Sequence, residues 1–294
     1  MYEQIASNRR KTVLLLMIFF VIIIGFGYYL SVYYQSPDIL WGAALLSIGM
    51  SWWSYFAGDK TILGLGGAKL VSESNSLEEK KIQHLVENLC ITTGMPMPKV
   101  YIMDDPAPNA FAVGRGPKHA SIALTSGLIS KLDKAEIEGV IAHELSHVRN
   151  YDILLATIVV TLLGVIVMSS DWLLRSRFRH NNNRQGGNAG GGLMLIGLVL
   201  AILSPILARL IYFAISRKRE YLADASGALM TRYPEGLASA LKKISTDDNK
   251  LKSASRATAG LYIVNPFHSK NLAELFSTHP PIEKRIAALD NMNV

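Results

Sequence analysis

The stretch VIAHELSHVRNYD, residues 140–152, decides how this chain is read. On an α-helix, side chains four positions apart share a face, so His143 and His147 project together with Glu144 beside them. Two imidazoles at that spacing can hold Zn²⁺ at about 2.0–2.1 Å, and the carboxylate after the first falls next to the ion's open side. Zinc makes a bound water acidic enough to ionise near neutral pH, and Glu144 is placed to take the proton. Asp133, with Glu136 three residues on, caps the start of this helix.

A hydrolytic zinc site needs a third protein ligand. The long pattern with a third His six residues after the second, and a Gly three residues after it, is excluded, because Ile153 and Asn150 stand there. An intramembrane pair is excluded as well: Asp133, Glu136, Glu138, Arg149 and Asp152 make the surroundings too polar. RKREYLAD, residues 217–224, is the better source. Glu220 and Asp224 are four apart, which suits a ligand and an acceptor for the far N–H of a zinc-bound imidazole. The plain alternative is a solvated, charged helix end. Chain lengths favour the ligand: about 27 residues run from His147 to the end of one apolar run, and about 27 from the start of the next to Glu220. At 1.5 Å per residue, antiparallel arms of ~40 Å return Glu220 to the level of His147.

The surroundings of this cluster are apolar. Val13–Tyr34 and Ile39–Phe56 are two uncharged runs joined by QSPD, in a chain of 294 residues that is 50% hydrophobic. Roughly 20 such residues span a bilayer as a helix, so residues 1–60 read as a retained transmembrane hairpin. The first run is too long for a cleaved signal and no small-residue cleavage site follows it. Arg9, Arg10 and Lys11 precede the pair, Lys60 and Lys69 follow it, and the link has no basic residue. The termini of the hairpin therefore face the cytoplasm. The net charge of +7 suits anionic lipid headgroups, because the basic residues flank apolar runs. No aromatic-basic interleaving favours nucleic acid. One cysteine, Cys90, forms no internal disulfide.

Residues 61–152 read as the first part of a soluble body. Ser76 and Glu79 cap a helix that buries Ile82, Leu85, Val86 and Leu89 and stops at Gly94. KVYIMD (99–104), NAFAVG (109–114) and HASIALT (119–125) read as a small antiparallel β-sheet. Residues 153–216 form a second apolar hairpin, expected to span, around a Gly- and Asn-rich loop at 175–192 expected to be disordered. Arg209 sits near its cytoplasmic end, where it can snorkel. Residues 217–294 complete the body, with Pro234 at a helix start and a last helix near Ile282–Asp290. The fold class is thus a mainly α integral membrane protein with a small antiparallel sheet.

HELSH, the R-x-x-E-Y-x-A-D pattern of Arg217–Asp224, NAFA at 109–112 and STHPP at 277–281 together resemble the HtpX-type membrane zinc metalloproteases, relatives of the CAAX prenyl proteases. The resemblance covers the whole chain. It implies a gluzincin (zincin-like) metallopeptidase domain and one Zn²⁺ per chain. It also implies a bacterial plasma membrane location with a cytoplasmic site, and proteolysis of damaged or misassembled membrane proteins in quality control under stress. Carried over, His143, His147 and Glu220 are ligands, Glu144 is the base and Asp224 orients a ligand. Partners are polypeptide substrates and the lipid bilayer.

Two further readings concern the cleft. Asn109, Ala110, Phe111 and Ala112 form an edge strand to which a substrate backbone can add, or else an ordinary sheet strand. His279, held on the rigid turn before Pro280, is an oxyanion donor, a latent fourth ligand or a surface histidine. Arg217 and Arg219 read as membrane-proximal charges or local ion-pair partners, and His84, His119, His180 and His268 as structural or exposed. The alternatives to an endopeptidase are a CAAX-type peptidase and a membrane scaffold or chaperone with a structural metal site.

Overall fold

The computed structural model describes residues 2–71, 76–164, 217–255, 258–266 and 280–292. The loop at 175–192, the fourth apolar run at 193–216 and His279 lie outside the described residues. The first helix, α1 (Tyr2–Tyr33), starts well before the apolar run and includes Arg9, Arg10 and Lys11. It pairs with α2 (Asp38–Leu65) across the turn at 34–37. Helix α2 continues past the apolar run, and Ile62 and Leu63 at its far end are buried against Met103 and Tyr262.

Four strands follow in one sheet: β1 (Lys69–Leu70), β2 (Lys99–Met103), β3 (Ala110–Gly114) and β4 (Ala120–Thr125). The expected antiparallel sheet is corrected here. The order is β1-β2-β4-β3, with β2 and β4 parallel and the other two pairings antiparallel. After β2 the chain bypasses its neighbour's place, lays β3 at the far edge, and returns through a tight connection so that β4 fills the gap. Alternation in a sequence marks strands but not their neighbours. Both faces of the sheet are covered. Ala110, Ala112, Ile122 and Leu124 pack into one cluster, while Phe111, Val113 and Ala123 pack into another. That is the period-2 pleat of a sheet sandwiched between layers.

Helix α3 (Leu77–Thr93) is capped by Ser76, which accepts from the Glu79 N–H, and ends at Gly94 with φ +67°. After the short α4 (Ser126–Lys131) comes α5 (Lys134–Arg149), capped reciprocally by Asp133 and Glu136. It is the central helix of the body. Helix α6 (Asp152–Gly164) follows directly, and its Leu154, Leu155, Ile158 and Leu162 pack on Phe19 and Ile23 of α1. Helices α7 (Arg217–Thr231), α8 (Pro234–Ser245) and α9 (Ile282–Asp290) complete the described chain, with α7 and α8 both packed against α5. Gly227 makes one approach possible: a Cβ there would stand 3.0 Å from the His143 backbone N.

Among the described residues, Ile5–Tyr33 of α1 is the one helix long and apolar enough to cross a membrane. Helix α2 carries Trp41, Trp52 and Trp53 along its apolar run, and α6 is shorter. Large apolar side chains of both α1 and α2 are exposed, among them Leu14, Met17, Val21, Leu45 and Trp52.

Candidate active site

Helix α5 ends at Asn150, and Tyr151 adopts a left-handed φ of +60° that turns the chain sharply into α6. A non-glycine residue there costs about 1–2 kcal/mol, and two contacts hold it. The Arg9 guanidinium lies 4.8 Å from the Tyr151 ring centroid, and the ring fills space that a Cβ at Gly116 would occupy. The turn carries Asp152 back alongside His147.

His143, His147 and Glu220 converge, with their ligating atoms within 4.8 Å of one another. The two Nε2 atoms are 3.2 Å apart. Glu220 Oε2 lies 3.8 Å from His143 Nε2, and Oε1 lies 3.6 Å from His147 Nε2. Each far ring nitrogen meets a carboxylate: His143 Nδ1 is 2.9 Å from Asp224 Oδ1, and His147 Nδ1 is 3.0 Å from Asp152 Oδ2. In its neutral form each ring is favoured by its carboxylate to carry the N–H at Nδ1, which leaves the Nε2 lone pair facing inward. Two bare lone pairs at 3.2 Å repel unless a cation or proton lies between them. A tetrahedral ion with 2.0–2.1 Å bonds needs ligands about 3.3 Å apart. The donor set fits a zinc-type cation.

Both outer carboxylates are themselves held by arginines. Arg285 on α9, fully buried, donates through Nε and Nη2 to the two oxygens of Asp224 at 2.8 and 2.7 Å, and through Nη1 to the Ile263 carbonyl at 3.0 Å. Arg219 donates to Asp152 Oδ1 at 2.7 Å and to Asn8 Oδ1 at 2.6 Å. The reading of Arg219 as a surface or local charge is corrected: it is a largely buried, long-range partner, while Arg217 is exposed. The sequence reading also missed Asp152 and Arg285. His84 and His119 are exposed as expected.

Burial pushes the Glu144 carboxyl up to about 7, with Glu220 adding to the rise and His147 opposing it. Burial holds His143 down to about 4. At His147 burial works in the same direction, but the carboxylates of Glu220 and Asp152 outweigh it and raise the ring to about 9. The carboxylates of Glu220 and Asp152 thus favour positive charge at His147, while burial disfavours it at His143.

Strand β3 forms one wall. Its register with β4 turns the backbone groups of Ala110, Ala112 and Gly114 outward. The Ala110 carbonyl accepts from the Ile263 N–H at 3.0 Å, and the Gly114 N–H donates to Thr157 Oγ1 at 2.9 Å. Between them, the Ala112 N–H meets the Glu144 carboxylate. Of the four residues assigned to a substrate strand, Ala112 alone lines the cleft, with Glu144, His147, Glu220, Gly260 and Leu261. Asn109 instead donates to the Val264 carbonyl at 3.0 Å, and Phe111 packs edge-on against Tyr262 on the opposite face.

The sequence profile of peptidase family M48 matches residues 76–293, which contain every part of this site on α5 and α7. The chain belongs to peptidase family M48. Within this family, the protease HtpX homolog of Dictyoglomus turgidum is 44% identical over 292 residues, covering 99% of this chain and 94% of that protein. The protease HtpX homolog of Tropheryma whipplei strain Twist is 45% identical, covering 99% and 98%. The resemblance drawn from HELSH and the R-x-x-E-Y-x-A-D pattern is borne out. Among solved structures, the crystal structure of S. mikatae Ste24p matches with a TM-score of 0.50 at 19% identity, covering 99% of this chain and 67% of that one. This likeness is one of fold. As an M48 peptidase, the chain is a protease.

Proposed function

We propose that this M48 peptidase is a zinc-dependent endopeptidase of the bacterial plasma membrane, hydrolysing misfolded or damaged membrane proteins on the cytoplasmic side. The observation that carries the reading is the meeting of His143, His147 and Glu220 beside a buried Glu144. Those three residues would hold the ion, and zinc so held supplies an acidified water and polarises the scissile carbonyl. Asp224 and Asp152 fix the two rings so that their Nε2 atoms face the centre. Glu144 accepts a proton from the attacking water and returns it to the departing amine. A cation nearby favours its carboxylate form, which offsets the upward push of burial. With its N–H held by Glu144, Ala112 offers an extended substrate its outward carbonyl for strand addition.

Membrane anchorage rests on the apolar exterior of α1 and α2, which exceeds what scattered surface side chains explain. The body built from 61–152 and 217–294 then hangs on the hairpin at its basic, cytoplasmic end.

The test is cleavage of casein by the full chain in detergent. Glu144→Gln should lower the rate by about 10²–10⁴-fold while the zinc content stays that of wild type, and a chelator should abolish activity in both proteins. Undiminished cleavage by Glu144→Gln removes Glu144 from the mechanism.

A further inference from the structure

The helix that leads into the membrane also reaches the metal site. Asn8 lies on the polar first part of α1, is buried, and has all its carboxamide contacts outside its own helix. Nδ2 donates to Asp152 Oδ1 at 2.7 Å and to the Asn150 carbonyl at 2.9 Å. Oδ1 accepts from Arg219 Nη1 at 2.6 Å, and that same nitrogen bonds Asp152 Oδ1 at 2.7 Å. The three side chains close a ring around one oxygen of Asp152. The other oxygen faces His147 Nδ1 at 3.0 Å.

We propose that Asn8 is a positioning residue of the metal site, using the amino-terminal part of the membrane helix to hold Asp152 against His147. The inference rests on the zinc reading above. Its physical basis is the location of Asp152. That residue sits immediately after the left-handed Tyr151, at a corner whose conformation is costly, and a short acidic side chain there has few reasons to keep one direction. Asn8 supplies two: it satisfies the Asn150 carbonyl at the end of α5, and it binds the carboxylate. Arg219 alone could neutralise Asp152 but would not tie the corner to its α5 carbonyl. A site so built is complete only when the anchor helix is docked on the catalytic body.

Asn8→Asp tests this in the full chain purified in detergent. The substitution keeps size and the acceptor for Arg219, but it sets an oxygen against Asp152 Oδ1 and the Asn150 carbonyl. Zinc affinity, measured by competition with a chromophoric chelator, should fall by about tenfold or more. The visible spectrum of the Co²⁺-loaded protein should change with it. Thr12→Val, one turn further along α1 and also buried, removes a hydroxyl that bonds the Asn8 backbone carbonyl and leaves the Asn8 carboxamide and Asp152 in place. Zinc affinity in that variant should stay within about twofold.

An Asn8→Asp affinity within twofold of wild type overturns the proposal, as does an equal loss in Thr12→Val. A wild-type chain that takes up no zinc overturns the site reading and, with it, this one. Zinc binding by wild type beside an unaffected Asn8→Asp overturns the positioning role alone.

Discussion

Each imidazole of the site is backed by a carboxylate, and each carboxylate by an arginine, but the two halves differ in depth. The His143–Asp224–Arg285 half is sealed, with Arg285 fully buried, whereas the His147–Asp152–Arg219 half borders the cleft. A sealed ion pair is weak evidence of net stability, yet removing one partner strands the other. Arg285→Met should therefore destabilise the chain by about 3–5 kcal/mol, read from chemical denaturation in detergent, and loosen Asp224 from His143. A loss below about 1 kcal/mol would show that water reaches Asp224. His143, Glu144 and His147 were legible because a helix makes i and i+4 neighbours. Asp152 was within reach, five residues beyond His147, but only a reader who knew that the chain reverses at Tyr151 could have used it. Arg285 was not legible: in IEKRIAALD it looks like one more charge on the outside of a terminal helix. Cys90 supplies a prediction at the same scale. Burial raises its thiol to about 11, so it is neutral at pH 8 and ionises only as pH climbs toward that value. Alkylation in the folded protein should be at least about a hundredfold slower at pH 8 than for an exposed thiol near its ordinary value of about 8.5, and should accelerate as pH rises. Equal rates before and after unfolding would contradict this.

At the scale of elements, the site depends on how closely α7 lies on α5. Gly227 touches the backbone at His143, and one turn earlier on α5 a Cβ at Gly139 would meet the Leu237 backbone N of α8 at 2.8 Å. Gly227→Val should force α7 outward, at a cost of about 1–3 kcal/mol. Since Glu220 and Asp224 ride on that helix, zinc affinity should fall as well, and unchanged zinc affinity in a folded Gly227→Val protein would contradict the packing account. The helices and their caps were readable from local signals: Ser76, Asp133, Gly94 and Pro234 stand where the helices begin or end. The strands were readable but their partners were not, because a strand buried on both faces offers no polar side to set its place. The start of α1 was missed for a related reason. Its Arg9, Arg10 and Lys11 marked a boundary in hydropathy, not in structure, and the helix runs through them to reach Asp152.

At the scale of the whole molecule, an apolar hairpin and a polar catalytic body share the seam formed by α1 and α6, where Phe19 and Ile23 meet Leu155 and Ile158. If the exposed faces of α1 and α2 lie in lipid, the full chain should remain with the membrane pellet after washing in high salt and in alkaline carbonate. Release by either wash would contradict anchorage. Composition alone pointed to a membrane, and equal arms on the two later apolar runs pointed Glu220 toward the histidines. What composition lacked was any sign that the anchor itself contributes to the site. The most direct test of the central claim is elemental analysis of the purified full chain, wild type beside Glu220→Ala. The account predicts about one zinc per wild-type chain, as a three-ligand site holds, and its loss on substitution. Full zinc occupancy in Glu220→Ala, or none in wild type, would contradict it.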